Sequence, residues 1–122
     1  MPRAVVSGTE GSLRTIQVLA DSASITPVYN LDGRPYLGTI AALSQASQIE
    51  NAVLAPQNGQ SIAFRVISST ARALTWGSKY KGSGALPLPT TTTGGAVRDY
   101  FLFVYASTTD TYDCVSSVLG VG

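Results

Sequence analysis

Residues 96–106 read AVRDYFLFVYA. Taken two at a time, this stretch places Val97, Phe101, Phe103 and Tyr105 on one side and Tyr100, Leu102 and Val104 on the other. An alternating segment that is apolar on both sides is a strand, and it lies either centrally in a sheet or against a second subunit. The reading of the rest of the chain follows from this segment.

Period-two patterning recurs along the sequence, and a sustained 3.6 period hardly occurs. Residues 61–68 (SIAFRVIS) put Ile62, Phe64 and Val66 inward, with Ala63 and Arg65 opposite. Residues 13–20 (LRTIQVLA) set Ile16, Val18 and Ala20 on one face, opposite Leu13, Thr15, Gln17 and Leu19. The last strand, 111–119 (TYDCVSSVL), carries Tyr112, Cys114 and Val118 on one face. Shorter candidates are 25–29 (ITPVY), 36–43 (YLGTIAAL), 47–50 (SQIE) and 71–76 (ARALTW). Residues 38–49 also carry a loose helical spacing through Ile40, Leu43 and Ala46, but Gly38 and the β-branched Thr39–Ile40 pair favour a strand. Turn chemistry separates these segments at 31–35 (LDGRP), 55–60 (APQNGQ), 82–84 (GSG), 93–95 (TGG) and 107–110 (STTD). Short strands between such turns predict an all-β protein, specifically an antiparallel β-sandwich of jelly-roll type. One domain over residues 13–122 is expected, preceded by an unpatterned N-terminal arm at residues 1–12.

Composition limits what this domain can do. The 122 residues are 44% hydrophobic and only 12% charged, so the surface is largely uncharged and polar. A net charge of +1 gives no electrostatic reason to expect nucleic acid or an anionic membrane as partner. No segment has the roughly 18 apolar residues of a membrane span. The opening MPRAVVSGTEGS lacks an apolar core of signal-peptide length, so synthesis in a cytoplasm is expected. Cys114 is the sole cysteine and histidine is absent, which excludes an internal disulfide and every Ser-His or Cys-His catalytic pair.

The remaining chemistry is sparse. The carboxylates are Glu10, Asp21, Asp32, Glu50, Asp99, Asp110 and Asp113, and only the last two are near neighbours in sequence. They read as turn-capping residues rather than a metal site or a catalytic pair. Asp99, inside an apolar strand, either faces solvent or pairs with an arginine such as Arg65. No catalytic residue, cofactor or metal is expected. Trp76, Lys79, Tyr80 and Lys81 come nearest to a binding patch, since aromatic rings flanked by cations stack on sugars. The competing and favoured reading packs Trp76 over one end of the core and leaves the lysines solvated. In the surrounding stretch, ARALTW is expected as a strand, GSKYKGSG as a turn, and LPLPTTTT as an extended crossover. Cys114 is expected as a small buried hydrophobe.

The order of segments NGQSIAFRV (58–66), TARALTWGSKYK (70–81), LPTTTT (88–93), DYFLFVY (99–105) and YDCVSS (112–117) resembles a small module of tailed-bacteriophage tail fibres and related virion proteins. Residues 39–50 (TIAALSQASQIE) are similar to the segment that precedes the Gly-Gln turn of that module, so the resemblance spans about residues 25–118. It departs at Tyr112, where the module often has tryptophan, and in standing alone where the module usually ends a longer fibre. The resemblance implies a virion structural protein assembled in the host cytoplasm: a capsid decoration protein, head fibre or tail fibre component. It also implies a homotrimer that adheres to other virion proteins without catalysis. The alternative is a receptor- or carbohydrate-binding module that meets a host surface glycan through Trp76, Lys79, Tyr80 and Lys81.

Overall fold

The computed structural model describes residues 15–29 and 32–122, and the expected arm at 1–12 lies outside them. The described residues form nine strands and no helix: β1 (Thr15–Val18), β2 (Ser24–Ile25), β3 (Tyr36–Ile40), β4 (Ser47–Ile49), β5 (Ser61–Ile67), β6 (Leu74–Trp76), β7 (Tyr80–Lys81), β8 (Arg98–Ala106) and β9 (Thr111–Val121). The ambiguous residues 38–49 thus resolve as the end of β3, a connection, and β4.

The strands form a six-stranded sheet, ordered β1-β3-β5-β8-β9-β7, and a three-stranded sheet, ordered β2-β4-β6. From β1 to β6 the chain alternates between the sheets, one strand in each, so successive strands within either sheet run parallel. Only β5–β8 and β8–β9 are antiparallel; β7 joins β9 in parallel. The all-β expectation holds, whereas antiparallel pairing throughout does not. A parallel neighbour needs a crossover, and from β1 to β6 each crossover is a visit to the other sheet. Side-chain alternation has a period of two whichever way the neighbouring strand runs, so it could not reveal this winding.

Both sheets share one core. Ile62, Phe64 and Val66 of β5 and Phe101, Phe103 and Tyr105 of β8 meet Ile25, Ile49 and Leu74 of the small sheet, with Trp76 packed against them. Phe64 stands at its centre, with ring centroids of Tyr36, Trp76, Tyr80 and Phe103 about 6 Å away. Strand β5 alternates as read from the sequence, and so does β8, with Asp99 added to the buried face. In β1, Ile16 and Val18 are exposed, and Thr15 and Gln17 take the inner side. Gln17 belongs there because its carbonyl oxygen accepts from the Tyr36 hydroxyl (2.6 Å) and the Val28 amide (3.0 Å).

Two further expectations are revised. GSKYKGSG contains strand β7, where Tyr80 and Lys81 pair with Tyr112 and Asp113. Asp99 neither faces solvent nor pairs with arginine. It is buried and accepts from the Thr93 amide and hydroxyl (both 2.7 Å) and from the Gly120 amide (2.9 Å). Three donors satisfy a buried carboxylate without an ion pair. Arg65 instead donates to the Thr39 hydroxyl (3.1 Å). The Thr tract is extended, as expected: Thr91 bridges Ala73, and the Thr92 hydroxyl meets that of Ser68 (2.8 Å). It ends at Gly94, whose φ is +80° and where an added Cβ would stand 2.5 Å from the Ala71 amide nitrogen. Glycine meets both demands.

Candidate functional site

The four residues singled out in the sequence lie near one another, but their groups point to different tasks. Trp76, on β6, packs its ring against Tyr80 and Phe103 (centroids 5.2 Å for both) and Phe101 (5.7 Å). Its indole N–H donates to the Pro89 carbonyl at 2.8 Å, tying the Pro/Thr tract to the small sheet. Tyr80 is buried, its hydroxyl donating to the Glu50 carbonyl (2.9 Å) and lying 2.6 Å from that of Tyr29. Burial pushes both phenols far above their ordinary titration range.

Lys79 turns to Asp110, with Nζ 2.9 Å from the carboxylate. Asp110 also accepts from the Tyr105 hydroxyl at 2.7 Å. These two bonds, Tyr105's first, hold the Asp110 carboxyl below its usual range, while bonding to Asp110 pushes the Tyr105 phenol up to about 12. The same carboxylate raises Lys79. Lys81 is exposed. The patch therefore divides into two rings built into the core, one lysine engaged in a surface ion pair, and one solvated lysine.

The carboxylates are also engaged. Asp21 accepts from the Ser44 amide and hydroxyl and from Gln45; Asp32 pairs with Arg34; Glu50 accepts from Ser24 and Gln48; Asp113 accepts from Thr111. Ser44 above all holds Asp21 below its ordinary pKa, and Ser24 does the same for Glu50. These bonds brace loops and strand ends. Among the described residues, no three His, Cys, Asp or Glu side chains gather as a metal site would require. Cys114 is half-buried against the core, its thiol pushed up by burial.

The larger feature is the outer face of the six-stranded sheet. Strand register places Ile16, Leu37, Ala63, Leu102 and Ser116 in one row across it, and Val18, Thr39, Arg65, Tyr100 and Val118 in the next. Leu37 is buried yet stands outside the core cluster. Val115 and Leu119 are also exposed along β9. A second apolar surface is a pocket of about 190 Å³ lined by Pro27, Val28, Tyr29, Ala52, Val53 and Leu54.

The two-sided character of β8 is legible in the sequence, whereas which face of β1 is exposed is not. The signal for the exposed edges is the charge-free composition of TIQV and CVSSVLGV, at residues 15–18 and 114–121. Compared with protein-family models, curated proteins and solved structures, the chain matches none of them.

Proposed function

We propose that the chain is a structural protein of a tailed-bacteriophage particle, an oligomer that docks on the capsid or tail and works by adhesion. The resemblance of residues 70–117 to tail fibre modules suggests the particle. The outer face of the six-stranded sheet is the observation that carries the adhesive part. Its two middle rows contain one charge, Arg65, whose guanidinium is hydrogen-bonded to Thr39, and the flanking rows add Asp113 on one side and Arg98 on the other. In this reading the two sheets pack as a sandwich, which leaves the large sheet's outer face for neighbours.

Burying a few hundred Å² of such surface at ~25 cal/mol/Å² supplies several kcal/mol before ordering costs. That suffices for a protein held in many copies on a lattice. The glycan-binding alternative gains no support from Trp76 and Tyr80, whose rings already serve the core.

Light scattering on the purified chain tests the assembly, with three copies of the 12.7 kDa protein expected. A single copy at micromolar concentration would overturn it. Mass spectrometry of gradient-purified particles from the encoding virus tests the location. The chain is expected at the stoichiometry of a lattice or fibre component, and its absence from particles would end the virion reading.

A further inference from the structure

Every open sheet has two edges, and proteins normally protect them with brevity, charge, proline or bulges. In the small sheet the edges are β2 and β6, two and three residues long. The large sheet differs. Among the described residues one edge is β1, TIQV, which has no charge and no proline. At the opposite edge β7 covers only Tyr112 and Asp113, so among the described residues β9 has no second strand partner from Cys114 to Val121. That uncovered segment, CVSSVLGV, also lacks charge and proline.

The exposed apolar side chains concentrate on these same edges. Of the eight large hydrophobic residues exposed among the described ones, Ile16 and Val18 lie on β1, and Val115, Val118 and Leu119 on β9. Ile16 and Val18 are 60% and 76% exposed, and the three β9 residues about half exposed. The other three, Val28, Val53 and Leu54, belong to the separate pocket.

Strand directions make the two edges complementary. Strand β1 runs parallel to β3 and β3 to β5; β8 reverses relative to β5, and β9 reverses again. Strands β1 and β9 therefore point the same way at opposite ends of one sheet. A β9-to-β1 junction between copies would be parallel, as β1 already is to β3. It would relate the copies by rotation about an axis along the strands, with the outer faces continuing from copy to copy. Such a head-to-tail contact closes into a ring when the rotation between copies divides a full turn, and runs on as an open filament otherwise. The register of β9 narrows the contact. It shifts between Leu102 and Phe103 and again between Arg98 and Tyr100, leaving Ser116–Val118 as the regular segment between two bulges. That segment matches the short length of β1.

We propose that the partner of this surface is a second copy of the chain, whose β1 adds to β9 along Ser116–Val118 and continues the six-stranded sheet across the oligomer. This rests on the self-association in the reading above and specifies its geometry. Val18 of one copy then lies in the same outer row as Val118 of the next.

Cysteine cross-linking tests it, in a Cys114→Ser background so that no native thiol competes. Neighbouring strands about 4.8 Å apart place same-face positions within disulfide reach. Chains carrying Ile16→Cys or Val18→Cys, mixed with chains carrying Val118→Cys and oxidised, are expected to yield covalent dimers. Each variant oxidised alone is expected to stay uncross-linked, and Val18→Cys with Val118→Cys in one chain to yield a closed covalent oligomer.

Cross-linking of the single variants alone, or of no combination, in a protein that light scattering shows to be oligomeric would overturn this junction and leave self-association standing. A monomeric native chain would overturn both. As a second arm, Val18→Lys and Val118→Lys alter exposed side chains and should each weaken assembly about tenfold or more with the circular dichroism spectrum retained. Unchanged assembly in both would also overturn the junction.

Discussion

The two faces of the six-stranded sheet are built by the same strands and have opposite characters. On the inner face of β8, Phe101, Phe103 and Tyr105 meet rings from β5, β6, β7 and β9 through a continuous set of edge and tilted contacts. Polar atoms there are matched, as with Asp99 and the Tyr29–Tyr80 pair. On the outer face, Tyr100, Leu102 and Val104 are half-buried among Ala63, Leu37 and Val118. In sequence both faces of β8 look apolar. The difference lies in aromatic content and in hydrogen-bond accounting, and it separates the face that folds the domain from the face we propose meets a neighbour.

The sharpest way to break the comparison is to remove a central ring. Phe64→Ala is expected to cost about 3–5 kcal/mol, because the cavity would be walled by rings that cannot all move inward. That is a large share of the 5–15 kcal/mol by which ordinary domains are stable. A urea titration checks it; a loss below about 1 kcal/mol would mean that the core is not organised around Phe64.

Next in size is the buried carboxylate. Asp99→Ala leaves the Thr93 amide and hydroxyl and the Gly120 amide without their acceptor, and should cost roughly 2–4 kcal/mol. Asp99→Asn keeps the shape and one carbonyl oxygen and should cost less. Equal losses from the two, measured by the same titration, would show that volume rather than hydrogen bonding sets the effect.

Asp99 also marks where the sequence stopped being legible. Its position is in phase with Phe101 and Phe103, yet the expectation was solvent or an arginine, because its partners are main-chain and side-chain donors that no local pattern connects to it. The alternation of β5 and β8, the turn at Gly59 with its φ of +82°, and the extended Pro/Thr tract were legible because each depends on neighbouring residues. The parallel winding was not, because the turns of chain between paired strands differ in length and leave no repeat. For β1, alternation separated Ile16 and Val18 from Thr15 and Gln17 but did not say which pair faces inward. Gln17 is more useful inside, where it accepts from Tyr36, and Ile16 and Val18 occupy an outer face that is itself apolar. For the candidate site, the residue types around Trp76 were noticed, but their engagement with Pro89, Glu50 and Asp110 is long-range.

The aromatic inner face also predicts an alkaline limit. Burial raises the phenols of Tyr29, Tyr36, Tyr80 and Tyr112, and bonding to Asp110 raises Tyr105 to about 12. Unfolded tyrosines ionise near pH 10. Above that pH the unfolded chain holds fewer protons than the native one, so stability falls as pH rises. It should be level up to about pH 10 and decline steadily towards 12, with phenolate absorbance from the buried rings appearing together with unfolding. Full ionisation of all six tyrosines near pH 10 in a folded protein would contradict the buried network.

The smallest effect on the isolated domain should come from the outer face. Leu102 is half-buried and lies between Ala63 and Ser116, so truncation to alanine removes contacts that solvent already shares. Leu102→Ala should therefore cost the monomer about 1 kcal/mol or less, below the usual 2–5 kcal/mol of a core truncation. If neighbouring copies cover this face, the same substitution should shift the assembly equilibrium more than it shifts unfolding at high dilution. Unfolding midpoints measured across protein concentration separate the two. The variant should approach wild-type stability when dilute and fall behind as wild type gains from association. A loss independent of concentration would make Leu102 an ordinary core residue, and the two faces of the sheet would no longer differ in kind.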